Sequence, residues 1–337
     1  MKKPYIIAEI GINFQGKTNL IKKLILSAKR AGADAVKFQI FKASTLGNMN
    51  SKEKFFFLSK KKKVTLYQFW KKLEISDSNI KLIENLTKKV GIDLIFSVFD
   101  IDSLNKLKKI KYKYIKIASS DLTDSILLKE TLKVPKPVIL STGMSNKNEI
   151  TEALTLLKNK KTILLHCVSL YPCDLKDINL KRMETLSKTF KKDVGFSDHS
   201  IGVEATIHAI KNGAKFIEKH FTLDKNFPGP DHVLSADEND LRTICNFAKN
   251  FKLMLGDGKI NPRHKELKIK KIANKSIYLK KNTKKNKIVK MDDLEIRRPS
   301  GYYKPKDINK ILGKYLKKNL NSGINLKSTH LSKKINK

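Results

Sequence analysis

Short apolar runs alternate with amphipathic stretches along most of the chain. Residues 5–9 (YIIAE) form a run that reads as a buried strand. Residues 19–31 then carry Leu20, Leu24, Ile25 and Ala28 at helical spacing and stop at Gly32. The beat recurs. The pattern predicts strands over 34–39, 93–97, 112–117, 137–140, 162–166, 193–196 and 215–218. It predicts helices over 66–73, 77–90, 101–109, 124–132, 148–158, 180–190, 202–212 and 236–255, with Ser145 as the expected N-cap of the 148–158 helix. Eight strand–helix beats in about 255 residues is the pattern of an α/β (β/α)8 TIM barrel. An open doubly wound sheet fits less well, because no GxGxxG follows the first strand. Residues 41–66 interrupt the beat with a long, lysine-rich, irregular stretch holding an apolar run at 55–58. A loop of that length in a compact domain is usually functional or mobile.

After Gly256 the character changes. Residues 259–275 read as a charged linker, and 276–337 hold only short apolar runs separated by lysine-rich turns. The expected division is a barrel over 1–258, the linker, and a small second domain over 276–337 that cannot extend the barrel.

Charge changes this picture little. The formal net charge is +39, which ordinarily points to nucleic acid. Yet all but six of the 71 lysine-plus-arginine residues are lysines, spread over the whole chain with no aromatic-interleaved patch. Base readout leans on arginine. A lysine-biased genome accounts for the excess, and no nucleic-acid partner is expected, although the charge favours anionic substrates. A noncatalytic, RNA-associated basic protein remains the alternative of a different class. Cys167, Cys173 and Cys245 are scattered without metal-ligand spacing, which fits a reducing compartment. The N-terminal apolar run is too short for a signal peptide, and no run reaches bilayer length. The expectation is a soluble, cytoplasmic protein with no membrane partner.

The chemistry should sit where barrel enzymes keep it, at the C-terminal ends of the strands. Those positions hold Glu9, Lys37, Gln39, Lys116, Ser119, Asp121, Ser141, Tyr171, Ser197, His199, His220 and Asp231. Lys37 in AVKFQ and Lys116 in YIKIASS interrupt apolar runs, which marks them for function. Lysines and short hydroxyls suit a phosphate. His199 and His220 follow adjacent parallel strands and suit a divalent metal, with hard oxygens completing a Mn2+- or Mg2+-like shell. The residues themselves therefore point to a phosphorylated substrate used with a metal.

Seven segments carry a resemblance. AEIGIN (8–13), GADAVKFQ (32–39), YIKIASSDLTD (114–124), PVILSTGMS (137–145), LLHCVSLYP (164–172), GFSDHSIG (195–202) and IEKHFTLDKNFPGPDH (217–232) together resemble the N-acetylneuraminate (sialic acid) synthase family. LEIRRPSG and ILGK resemble that family's C-terminal antifreeze-like (SAF, β-clip) domain. The resemblance implies metal-dependent condensation of phosphoenolpyruvate with an N-acetylated hexosamine, N-acetylmannosamine or a related 2,4-diacetamido sugar. The product is a nine-carbon 2-keto-3-deoxy acid, with release of phosphate. It implies that His199 and His220 hold the metal and that Lys37, Lys116, Ser119, Ser141 and Ser197 contact phosphoenolpyruvate. Glu9 and Asp121 are implied as active-site carboxylates, and Gln39, Tyr171 and Asp231 as sugar contacts. Arg298 is implied to reach the sugar site of a partner subunit in a domain-swapped homodimer. Asn13–Gly16 replaces the family's frequent NHNG, and Ser97-Val98-Phe99 its usual STPF, so the sugar is the variable part. Legionaminic-type synthases stay open, while PGPDH argues against the pseudaminic branch. Another barrel synthase that condenses phosphoenolpyruvate with a phosphorylated sugar is the nearer alternative.

Overall fold

The computed structural model describes residues 3–47, Met49, 54–55 and 64–335. Eight parallel strands close into a barrel. They are β1 (Tyr5–Gly11), β2 (Ala35–Ile40), β3 (Asp93–Val98), β4 (Tyr114–Ile117), β5 (Val138–Ser141), β6 (Thr162–His166), β7 (Val194–Asp198) and β8 (Phe216–His220). Each pairs with its sequence neighbours, and β1 closes the ring on β8. A helix follows each strand: α1 (Thr18–Ala31), α2 (Asp77–Val90), α3 (Ile101–Lys106), α4 (Ser125–Thr131), α5 (Lys147–Leu156), α6 (Lys181–Phe190), α7 (Glu204–Lys211) and α8 (Glu238–Leu255). The predicted eight-beat barrel is thus the architecture of the first unit, which spans 1–256.

Two details differ from expectation. The N-cap of α5 is Asn146, not Ser145. The Asn146 side chain accepts from the N–H groups of Asn148 and Glu149, while the Glu149 carboxylate accepts from the Asn146 N–H. That reciprocal pair satisfies two free donors, which a serine one residue earlier cannot do. And β8 runs to His220 itself, so His220 ends the strand while His199 begins the loop after β7. Within 41–66, a short helix (Ala43–Leu46) and a two-stranded pairing of Lys54–Phe55 with Val64–Thr65 are described. Residues 48, 50–53 and 56–63, including most of the apolar 55–58 run, lie outside the described residues.

The strand period of two sorts the barrel into faces. Ile6, Ala8, Val36, Phe38, Phe96, Ile115, Leu140 and Ile217 point outward into the main core beneath the helices. The inward positions form layers. Tyr5, Tyr114 and Phe216 stack at the N-terminal end with ring centroids 5.4–5.8 Å apart. Ile7, Ala35, Ile95, Ile139, Ile163 and Leu165 fill the next layer. Above them the inward positions turn polar: Glu9, Lys37, Ser97, Lys116, Ser197 and Glu218, all but completely buried.

Gly195 occupies an inward position where a Cβ would lie 2.3 Å from the Phe216 carbonyl oxygen and 2.7 Å from Leu165 Cδ2. Backbone cannot yield there cheaply. Gly195→Ala is expected to cost roughly 3 kcal/mol or more through overpacking, read as a lowered melting temperature. A wild-type melting temperature would show that the β7–β8 rung is not fixed as described.

The second unit spans 257–337. It opens with α9 (His264–Ala273), which lies within the charged linker expected over 259–275. Two antiparallel pairs follow: β9 (Ser276–Leu279) with β10 (Leu294–Arg297), and β11 (Tyr315–Leu316) with β12 (Leu331–Ser332). Ile277, Leu279, Val289, Ile311, Leu316 and Leu326 make its own small core. Among the described residues, no helix is long and apolar enough to cross a membrane.

Candidate active site

The C-terminal ends of the strands open onto a cavity of about 680 Å3. Strand register decides which side chains meet there. Glu9 on β1 is level with Lys37 on β2 and His220 on β8. Ser97 on β3 is level with Gln39 and Lys116, and Ser197 on β7 with Glu218.

Glu218 is the hub. Lys116 Nζ donates to both of its carboxylate oxygens, at 3.0 and 3.2 Å, and the Ser197 hydroxyl donates at 2.9 Å. Lys37 Nζ lies 3.5 Å from Glu218, 3.0 Å from Glu9 Oε2, and donates to Ser97 Oγ at 2.9 Å. Gln39 Nε2 donates to the other Glu9 oxygen at 2.9 Å. Two carboxylates in one neighbourhood are pushed apart in acidity. Burial works against ionisation of Glu218, but the Lys116 and Lys37 charges outweigh it and hold that carboxyl well below the usual range. Burial raises Glu9, and Lys37 does not fully offset it, because Glu218 adds its own negative charge. Glu218 is therefore the fixed anion and Glu9 the group able to carry a proton. Burial, with the charge of Lys37, also pulls Lys116 below its ordinary value despite Glu218.

Short donors ring the lysines. Gly143 N–H donates to Ser119 Oγ at 3.0 Å, and Ser119 Oγ lies 3.1 Å from Cys167 Sγ. A Cβ at Gly143 would fall within 2.9 Å of Ser169, Ser119 and Cys167, so glycine is what lets these groups converge. Arg182, one of only six arginines, donates to the carbonyls of Thr142 and Ser145 and pins the loop that follows Ser141.

The two imidazoles stand side by side, ring centroids 5.6 Å apart, with Tyr171 stacked on His199 at 4.2 Å. His199 Nδ1 lies 2.7 Å from the Val168 carbonyl. That contact requires Nδ1–H, which leaves the lone pair on Nε2, where the Tyr171 hydroxyl sits at 3.2 Å. His220 Nδ1 is buried and takes no hydrogen bond; Asp231 Oδ2 is 3.5 Å away. Burial lowers both imidazoles, His199 to about 4, so both are neutral. Burial and Glu9 push Asp231 up to about 7.

This chain has counterparts among known proteins. A family model described as the NeuB family matches residues 24–260. The chain belongs to the NeuB family. The N,N'-diacetyllegionaminic acid synthase of Legionella pneumophila is 36% identical over 335 residues, covering 97% of this chain and 94% of the relative. A pseudaminic acid synthase of Campylobacter jejuni is 34% identical over 337 residues, covering 97% and 96%. Among solved structures, the N-acetylneuraminic acid (sialic acid) synthetase of Leptospira borgpetersenii, in complex with citrate, matches with a TM-score of 0.71. It is 32% identical and covers 80% of this chain and 90% of that one. Like these relatives, the NeuB-family chain described here is a transferase of the synthase type.

Of the residues singled out in the sequence, Glu9, Lys37, Gln39, Lys116, Ser119, Ser141, Tyr171, Ser197, His199, His220 and Asp231 all line this one cavity. Asp121 stands just outside the lining. It closes the 310 turn Ser119–Asp121 and accepts from Ser120 Oγ, and burial raises it to about 6. Arg298 belongs to the second unit, where it is exposed and follows β10. Its neighbour Arg297 pairs with Glu295 at 3.3 Å and covers the Tyr278 ring. Glu218 and Asp198 are expected from the sequence beside the two imidazoles, but neither is assigned a role there; Glu218 stands two residues before His220 in one strand and so shares its inward face. Asp198 and Lys219 point the other way. They form a fully buried ion pair of 3.1 Å, and Asp198 also accepts from Ser200 and Thr206, fixing the turn that carries His199.

Among the described residues, no group of three His, Cys, Asp or Glu has metal-holding geometry. The two neutral imidazoles, one with an orphaned nitrogen, fit a divalent ion as a pair of ligands that leaves the other positions to oxygen.

Proposed function

We propose that this chain condenses phosphoenolpyruvate with an N-acetylated hexosamine to give a nine-carbon 2-keto-3-deoxy acid and phosphate. One observation supports this most: a buried Lys37–Glu218–Lys116 cluster, ringed by serine hydroxyls, lies beside two neutral imidazoles at the open end of a closed barrel. Lys37, Lys116, Ser119, Ser141 and Ser197 bind the phosphate and carboxylate of phosphoenolpyruvate. Gln39, Tyr171 and Asp231 orient the open-chain sugar, and Asp121 steadies the edge of that site. Carbon 3 of phosphoenolpyruvate forms a bond to the sugar's aldehyde carbon as the carbonyl π bond breaks; the aldehyde oxygen takes up a proton to become a hydroxyl, and carbon 2 becomes electron-poor. Water adds to carbon 2 and gives up a proton to Glu9. The tetrahedral intermediate then breaks its bond to the phosphate oxygen, and its C2 hydroxyl gives its proton to the departing phosphate to leave the keto group. The fixed lysines hold the departing charge in a site where water is scarce. His199 and His220 would hold a divalent cation, Mn2+ or Mg2+, which when bound supplies Lewis-acid polarisation of the aldehyde oxygen.

The direct test is phosphate release with phosphoenolpyruvate and a panel of N-acetylated hexosamines. Release should require both substrates. No release with any acceptor, together with salt-dependent RNA binding, would favour the noncatalytic reading instead.

We further propose that the second unit is an antifreeze-like domain and that Arg298 serves a partner subunit's sugar site in a swapped homodimer. Ile260, Ile269 and Ile272 of this unit are strongly exposed, apolar surface that a partner chain would cover. Arg298→Ala and His220→Ala chains should each be nearly inactive alone and regain activity when mixed under subunit exchange. A monomer in solution, or no recovery despite proven exchange, would rule the swap out.

A further inference from the structure

The two imidazoles are also tied together from behind, on the outer face of the barrel. Asp198 immediately precedes His199 at the end of β7, and Lys219 immediately precedes His220 on β8. Asp198 and Lys219 are level with one another, and theirs is the last rung of backbone pairing between these two strands. The strand period of two turns their side chains away from the cavity. There the Lys219 ammonium donates to Asp198 Oδ2 at 3.1 Å and to the Ser200 carbonyl. A single β8 side chain thus grips the residue before His199 and the residue after it, while its own successor is His220. Both side chains of the ion pair are wholly shut off from water.

We propose that Lys219 is a positioning residue: by holding Asp198 and Ser200 it sets the spacing of the His199 and His220 imidazoles, and through that spacing the affinity for a divalent cation. The proposal rests on the metal reading above for the identity of the ion. Asp198 does not need a lysine to be satisfied. Its carboxylate already accepts from the Ser200 N–H at 2.8 Å, the Ser200 hydroxyl at 2.7 Å and the Thr206 hydroxyl at 2.7 Å. Stability does not need one either, since apolar side chains of like volume often replace a buried ion pair without loss. What the lysine alone supplies is a tie between two strand ends beyond their last backbone rung. His199 has its own contact with the Val168 carbonyl, which fixes the rotation of the ring but not the distance of its backbone from β8. Spacing matters more here than in a richer site. Among the described residues no group of three His, Cys, Asp or Glu is placed to hold a metal, so the ion depends on two rings and loses much if one of them swings.

Lys219→Met in the full-length chain keeps the aliphatic stem and removes the ammonium. Calorimetric titration with Mn2+ should show the affinity weakened roughly tenfold or more. Asp198→Asn/Lys219→Met leaves no lone charge buried, so it should stay folded even where the single variant does not, with the same loss of affinity. Ile83→Ala opens a cavity in the core under α2, far in sequence from either strand. It should lower the melting temperature while keeping Mn2+ affinity within about threefold of wild type. In the metal-free protein, the imidazole nitrogen NMR spectrum should show His199 as the Nδ1–H tautomer in wild type. Once Lys219 is replaced it should show a mixture of both tautomers, because a displaced His199 loosens its contact with Val168. Wild-type Mn2+ affinity in both Lys219 variants, or an equal loss in Ile83→Ala, would overturn the proposal. If wild type takes up no Mn2+, the metal reading falls by itself. A His199 spectrum that changes with Lys219 would then uphold the tie, and an unchanged spectrum would overturn it.

Discussion

Lys116→Met is expected to lower kcat/KM for phosphoenolpyruvate by roughly 10²-fold or more, about 3 kcal/mol of transition-state interaction. The side chain is buried and its ammonium bridges both oxygens of Glu218. Methionine keeps the volume and removes the charge. Two losses follow. The phosphate forfeits one of its two fixed cations, and Glu218 is left to Lys37 and Ser197, so the remaining lysine is drawn more tightly to a protein carboxylate and less to the substrate. Lys37→Met should act in the same direction, because Lys37 is shared between Glu9 and Glu218. The measurement is steady-state kinetics with phosphoenolpyruvate varied at saturating sugar. Melting temperature serves as a control, since removing one partner of a buried pair also costs stability. A change of less than about threefold in both variants would mean that the phosphate site lies elsewhere.

Removal of metal is expected to abolish turnover, and Mn2+ or Mg2+ to restore it. His220→Ala should lose metal affinity while staying folded. The reason lies in the ring's surroundings. Burial keeps His220 neutral, and its Nδ1 makes no hydrogen bond that the fold would lose. An imidazole held neutral, dry and unpartnered beside a second one gains little from being there except a ligand. Calorimetric titration of Mn2+ into wild type and variant checks the affinity directly. Full activity in excess chelator would remove the metal from the reaction.

Much of this was legible in the chain because a barrel strand has a period of two. Once 215–218 is read as a strand, every second residue faces the interior, and Lys37 and Lys116 stand out as charges inside apolar runs. What the chain did not give was register. Nothing in the spacing of Lys116 and Glu218, 102 positions apart, shows that they meet; closure of β1 on β8 and the stagger of eight strands decide it. The pairing of Glu218 with the two lysines could therefore not be read, although its strand face, shared with His220, could. The apolar side of the cavity around Trp70 was hidden for another reason. Its members come from two loops and two short helices, Ala43–Leu46 and Leu66–Lys71, so no pattern links Ile12 to Phe99. The cap of α5 shifted by one residue because Ser145 and Asn146 are both good caps, and only Glu149 decides between them.

The aromatic layer of Tyr5, Tyr114 and Phe216 has a consequence for traffic. It stoppers one end of the barrel, so the mouth is both entrance and exit. The lysines stand on the strands themselves, whereas Leu46, Leu66 and Trp70 stand on segments beyond the strand ends. A ligand on the lysines therefore lies deeper in the cavity than one against Leu46, Leu66 and Trp70. The molecule is a well filled from the bottom. For the condensation proposed above, the anion is therefore expected to bind before the sugar, and excess sugar to inhibit by occupying the mouth first.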